Sequence, residues 1–154
     1  PQVFLGLAFN WGALLAWAAH SGRLEAPAVI LYLAGIAWTL FYDTIYAHQD
    51  AEDDALIGVK STARLFGDNS PRWLRWFLVA TVSLMAVAVI LAVPDARLTA
   101  LLVALCGPWV MGWHMQGQMR RLRLDDTARL LQLFRSNRDA GLLPVPFFAV
   151  ACLL

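Results

Sequence analysis

Ala26-Pro-Ala-Val-Ile-Leu-Tyr-Leu-Ala-Gly-Ile-Ala-Trp-Thr-Leu-Phe-Tyr42 runs directly into Asp43-Thr-Ile-Tyr-Ala-His-Gln-Asp50-Ala-Glu-Asp-Asp54. The first stretch has 17 residues and no charge; the next 12 hold five acids, Asp43, Asp50, Glu52, Asp53 and Asp54. About 20 apolar helical residues cross the hydrocarbon core of a bilayer. The first stretch therefore reads as a membrane span and the second as its wet end. Carboxylates beside an apolar phase are costly unless something pairs with them. A divalent cation is one such partner. Two carboxylates four residues apart on a helix can share Mg²⁺ while the metal keeps positions for water and phosphate oxygens.

If the helix continues through the acids, Asp43, Asp50 and Asp54 fall within about 20° of one direction, because seven residues make nearly two turns. Glu52 points the opposite way. One expectation is a Mg²⁺–diphosphate site. The other is a solvated acidic loop at the membrane edge. The loop is not an EF-hand, since the D-x-[DN]-x-[DN]-G pattern is absent.

Composition extends the membrane reading to the whole chain. Of 154 residues, 60% are hydrophobic and 15% charged, with mean hydropathy +0.59. A soluble domain carries roughly 45–50% apolar and about 25% charged residues. The expected fold class is all-α, a polytopic transmembrane bundle of about five spans, near 3–19, 26–47, 73–93, 98–115 and 140–154. The last is short for a span, and Gly107-Pro108 interrupts the fourth. Cys106 and Cys152 each sit in an apolar run and read as small hydrophobes rather than a disulfide or zinc pair. No basic stripe interleaved with aromatics points to nucleic acid.

Charge sets the orientation. The turns at 21–25 and 94–97 are short. The long connections, near 48–72 and 116–139, and their flanks hold Lys60, Arg64, Arg72, Arg75, Arg120, Arg121, Arg123, Arg129, Arg135 and Arg138, which is ten of the 12 basic residues. By the positive-inside rule both long connections face the cytoplasm. Ser70-Pro71 reads as a helix start, with Ser as cap and Pro at the first helical position. Asp126-Thr127 reads as the cap of an amphipathic segment with Leu130, Leu131, Leu133 and Phe134 on its apolar side.

Beyond the acids, Lys60 and Arg64 in Gly58-Val-Lys60-Ser-Thr-Ala-Arg64 are four apart and, on one helix, could neutralise a diphosphate. The other reading is ordinary cytoplasmic charge that fixes topology. Tyr42 and Tyr46 flank Asp43 and either line a carbocation path or anchor the interface. His20, His48 and His114 lack the spacing of a metal set. Asn10, inside the first apolar run, either bonds a neighbouring helix or lines a cavity.

The stretch from Asp43 to Thr62, with its Gly58-Val-Lys-Ser-Thr62 tail, resembles the second aspartate-rich motif of the UbiA family of membrane prenyltransferases, in the wording of the members that prenylate 4-hydroxybenzoate. Pro1-Gln-Val-Phe-Leu-Gly-Leu-Ala-Phe9 and Leu133-Phe-Arg-Ser-Asn-Arg138 agree with it. The resemblance covers essentially the whole chain. It implies part of a nine-helix bundle in a bacterial inner membrane, with Mg²⁺ as cofactor and polyprenyl diphosphate and 4-hydroxybenzoate as substrates in ubiquinone biosynthesis. It implies Asp50 and Asp54 as the metal-binding pair, Asp43 as the acid that opens the motif, and Lys60, Arg64 and Tyr46 near the diphosphate. The family's first motif, N-D-x-x-D-x-x-x-D, does not occur in these residues, and the chain begins Pro1-Gln2. The expectation is a C-terminal part that needs a missing N-terminal half and is inactive alone. Two other functions fit the sequence: a related transferase with a different acceptor, and a non-catalytic cation-binding membrane protein.

Overall fold

The computed structural model describes residues 1–154 as helices joined by short connections. The helices are α1 (Gln2–Asn10), α2 (Gly12–Ser21), α3 (Ala26–Ala47), α4 (Ala51–Ile57), α5 (Thr62–Phe66), α6 (Ser70–Ala92), α7 (Leu98–Arg121), α8 (Thr127–Leu142) and α9 (Val145–Ala151). The expected all-α bundle is what the chain adopts. Four segments are long and apolar enough to cross a bilayer: Gln2–Ser21, Ala26–Ala47, Thr62–Ala92 and Leu98–Arg121. The residues expected as a fifth span are divided between the end of α8 and the seven-residue α9, which packs on α7.

α3 is the central element and packs against α1, α2, α5, α6 and α8. α7 closes the other side through α6, α8 and α9. The densest core is at the acid-bearing end, where Phe41, Ile45, Leu74, Met111, Met115, Leu130 and Leu133 meet from four helices. Only 30 of 154 residues are buried, and many large apolar side chains of the long helices, such as Leu31, Leu33, Val87, Ile90 and Leu102, are exposed, as lipid-facing surfaces are. In such a setting helices associate through close van der Waals contact and interhelical hydrogen bonds rather than through water exclusion. Gly107 of α7 shows the close contact: Phe148 of α9 lies 3.0 Å from where its Cβ would be.

Two local expectations are corrected. α7 runs unbroken through Gly107-Pro108, and Pro108 is buried within it. Pro is tolerated inside membrane helices because packed neighbours and small local adjustments offset the lost hydrogen bond. Ser70 is not the cap of α6. The helix already includes it, Asn69 holds the cap position, and no side chain caps it. The Ser70 hydroxyl instead meets His48 Nε2 at 2.8 Å. Asp126 does cap α8, accepting from Arg129 N–H at 2.9 Å.

Candidate functional site

The acids sit where α3 ends. Its last residue is Ala47, His48 begins a turn, and Gln49 N–H donates to the Tyr46 carbonyl at 3.0 Å. The chain then restarts as α4 with Asp50 in the cap position at φ −109°. The expectation that one helix aims Asp43, Asp50 and Asp54 at a common point is therefore wrong, because the turn at 48–50 breaks the helical register. No group of three His, Cys, Asp or Glu side chains is placed to hold a metal ion. Asp43 stays on α3, half-buried, with the Gln2 side chain facing it.

Asp50 and Asp54 do remain one turn apart. Asp54 N–H donates to the Asp50 carbonyl at 2.7 Å, closing the first turn of α4. Asp50 is exposed and Asp54 half-exposed. Neither carboxylate takes part in an ion pair; the chain's two ion pairs are Arg23–Glu25 and Arg138–Asp139. α4 ends at Gly58, whose φ of +78° is the left-handed conformation that terminates helices and favours glycine. That accounts for glycine at the head of the Gly-Val-Lys-Ser-Thr tail.

The two basic residues behave differently from each other. Lys60 lies in the non-helical connection and is exposed, whereas Arg64 lies in α5. They do not share a helix face, which corrects their expected pairing. Arg64 reaches back to α4 and donates through Nη1 to the Asp54 carbonyl at 3.0 Å and to the Val59 carbonyl. It clamps the carbonyl end of α4 and so fixes the backbone that carries Asp54. Lys60 makes no side-chain hydrogen bond or ion pair and is the freer cation.

Buried polar contacts hold the loop against the bundle. Thr62 N–H donates to Gln2 Oε1 at 3.0 Å, and the Thr62 and Thr44 hydroxyls are 2.7 Å apart. His48 joins the turn to Ser70, and burial pulls its pKa below the usual histidine value, so the neutral ring is favoured. Ser61 is buried with no partner for its hydroxyl. On the other side α8 covers the end of α3. Phe134 meets Tyr46 at a ring-centroid distance of 4.6 Å and Tyr42 at 5.8 Å. Trp38 Nε1 donates to Asn137 Oδ1 at 3.1 Å. Tyr46 thus lies at the site's edge, partly exposed and packed on α8.

Reading the sequence singled out none of Gln2, Thr44, Trp38 or Asn137 for this role. A polar residue interrupting an apolar face was the available signal. A cavity of about 270 Å³ lies at the opposite end of the bundle, lined by side chains such as Trp17, Met85, Ala104 and Phe148; it holds no acid.

Comparison with known proteins places the chain in a family. Residues 1–138 match the model of the UbiA prenyltransferase family. The mitochondrial 4-hydroxybenzoate polyprenyltransferase of Arabidopsis thaliana is 50% identical over 143 residues, covering 92% of this chain and 33% of the relative. Those of Bos taurus and Homo sapiens are each 42% identical over 144 residues, covering 93% of this chain and 37% of the relative. The chain thus spans about a third of the length of the curated relatives it matches. No solved structure matches it. With a family match over most of its length and the aspartate motif seated at the end of an apolar helix, this chain belongs to the UbiA prenyltransferase family.

Proposed function

We propose that this chain is the part of a 4-hydroxybenzoate polyprenyltransferase that carries one of its diphosphate-binding acidic motifs. The observation that carries the reading is the Asp50–Asp54 pair. It offers two carboxylates one turn apart at the end of a bilayer-length helix, neither neutralised by a basic side chain. The relatives, named for this activity, support the substrates.

The donor set fits Mg²⁺, a hard cation commonly held by one or two carboxylates together with water and substrate phosphates. Asp50 and Asp54 would hold it. When bound, Mg²⁺ would withdraw electron density from the diphosphate and weaken the donor's C1–O bond. Lys60 supplies a mobile positive charge for the departing diphosphate. Arg64 keeps the Asp54 backbone in place. The apolar helices shelter the polyprenyl tail and exclude water from the reacting carbon, while Tyr46, partly exposed at the edge of the site, would lie near developing positive charge. The C1–O bond breaks, the ring carbon ortho to the phenol oxygen forms the new C–C bond, and the ring proton is lost. Catalysis then rests on positioning and charge neutralisation rather than on a protein nucleophile.

We infer further that these residues alone are inactive, since they contain one acidic motif, and that the setting is a bacterial inner membrane. The relatives are mitochondrial by name, so they support the membrane enzyme rather than the compartment.

The test is an assay of the longest protein carrying this chain, reconstituted in lipid with polyprenyl diphosphate, Mg²⁺ and competing labelled acceptors. Preferential prenylation of 4-hydroxybenzoate is expected. Preference for homogentisate or a naphthoate would keep the transferase and replace the acceptor. Mg²⁺ flux without prenyl transfer would replace the enzyme with a cation-binding protein.

A further inference from the structure

A second polar recess lies away from the acids, at the same end of the bundle, between the start of α6 and the end of α7. It encloses about 260 Å³. Arg75, Gln116 and Arg120 line its polar part, and Met119, Leu122 and Leu124 its apolar part. Neither arginine has a carboxylate partner within ion-pair distance. Asp126, on the connection that follows, is engaged in capping α8. Arg75 Nε donates to the Pro71 carbonyl at 3.2 Å. That contact holds the guanidinium while leaving its four other N–H groups free. The Arg120 side chain makes no hydrogen bond, and Gln116 adds an exposed amide.

The recess opens onto apolar surface on both helices. Val79 is one turn below Arg75 and 51% exposed. Trp113 and Trp109 continue the Gln116 side of α7 and are 79% and 73% exposed. A helix repeats every 3.6 residues, so offsets of three, four and seven stay on one side. Cations therefore crown a surface able to lie against acyl chains, and the exposed ring of Trp76, three residues before Val79, stands beside it on α6. A soluble phosphate needs only the crown. A membrane lipid needs both parts.

We propose that this recess binds the phosphate headgroup of an anionic membrane lipid, with Arg75 and Arg120 as the ligating cations and the outward faces of α6 and α7 as the seat of its acyl chains. Basic pockets between membrane helices suit anionic headgroups, and arginine's planar fork suits phosphate oxygens. The inference rests on the membrane setting alone and stands whether or not the chain transfers prenyl groups.

The test uses the longest protein carrying this chain in zwitterionic detergent. Phosphatidylglycerol with brominated acyl chains is titrated against tryptophan fluorescence, which such chains quench on contact. Brominated phosphatidylcholine is the neutral comparison. Tighter binding of phosphatidylglycerol is expected. The double variant Arg75→Gln/Arg120→Gln should weaken it roughly 30-fold, from about one surface-charge increment per arginine. Arg72→Gln/Arg123→Gln, which removes the same charge outside the recess, should keep most of the preference. Arg75→Lys/Arg120→Lys should give an intermediate affinity and replaces the glutamine pair if that pair misfolds.

Equal binding of the two lipids would overturn the proposal, as would preference retained in the recess variant. Equal loss in both glutamine pairs would also overturn it, since bulk charge would then be the cause. Full displacement of phosphatidylglycerol by inorganic phosphate would assign the recess to a soluble anion instead.

Discussion

At Thr39 a single hydroxyl uses its whole bonding capacity inside the bundle. It donates to the Gly35 carbonyl at 3.0 Å and accepts from Asn10 Nδ2 at 2.9 Å and from the Tyr42 hydroxyl at 3.3 Å. Asn10 also donates to the Gly6 carbonyl at 2.7 Å. Of the two readings open to Asn10 from sequence, the helix-to-helix bond is the one observed. Its partner was not legible, because nothing in the local pattern says which helix will lie alongside. Gly35 makes room for the Asn10 side chain, and a Cβ there would collide with it. Gly35→Ala should destabilise the protein by about 1–3 kcal/mol, the usual cost of overpacking. Thermal unfolding in detergent reads this, and an unchanged midpoint would contradict the packing described. Gly141→Ala tests α8 in the same way. Its Cβ would fall 2.6 Å from the Trp38 ring, so the Trp38–Asn137 bond should be lost and the tryptophan emission should shift.

Helix composition made the long elements legible, and tertiary contacts decided where they end. The run from Ala26 announces α3, but nothing in His48-Gln-Asp50 forbids helix. Local propensity is a weak prior that tertiary context overrides. Here the buried Ser70 hydroxyl takes the His48 ring, and Asp50 falls in the cap position of α4. The aspartate spacing was therefore right within 50–54 and wrong between 43 and 50. α8 is the opposite case. Asp126 caps it as its sequence implies, and Leu130 and Leu133 are buried on the side facing α3 and α7. Asp126→Ala should cost about 0.5–2 kcal/mol. The loss should appear as faster amide exchange in the first turn of α8, with α3 unchanged. Unaltered exchange at 127–130 would contradict the cap's role.

On the scale of the whole molecule, charge asymmetry and span count agree. The turn at 93–97 lies at the opposite end of α6 and α7 from the acid loop. In a background with Cys106→Ala and Cys152→Ala, Lys60→Cys should react with a membrane-impermeant thiol reagent from the cytoplasmic side only. Asp95→Cys should react from the other side only. Both reacting from one side would contradict the topology. The site itself was legible only as far as one motif carries it. The sequence named Asp50, Asp54, Lys60 and Arg64, whereas the polar ties through Gln2, Thr44 and Asn137 depend on which helices meet.

We propose Asp50 and Asp54 as the holders of the metal that receives a diphosphate. The most direct measurement is prenyl transfer against Mg²⁺ concentration in the longest protein carrying this chain, with Asp50→Asn and Asp54→Asn beside the parent. Each variant should lose about 10²–10³-fold in turnover, the scale of removing one electrostatic stabiliser, and should need more Mg²⁺ to reach its plateau. Turnover near the parent's at the same Mg²⁺ concentration in either variant would contradict it.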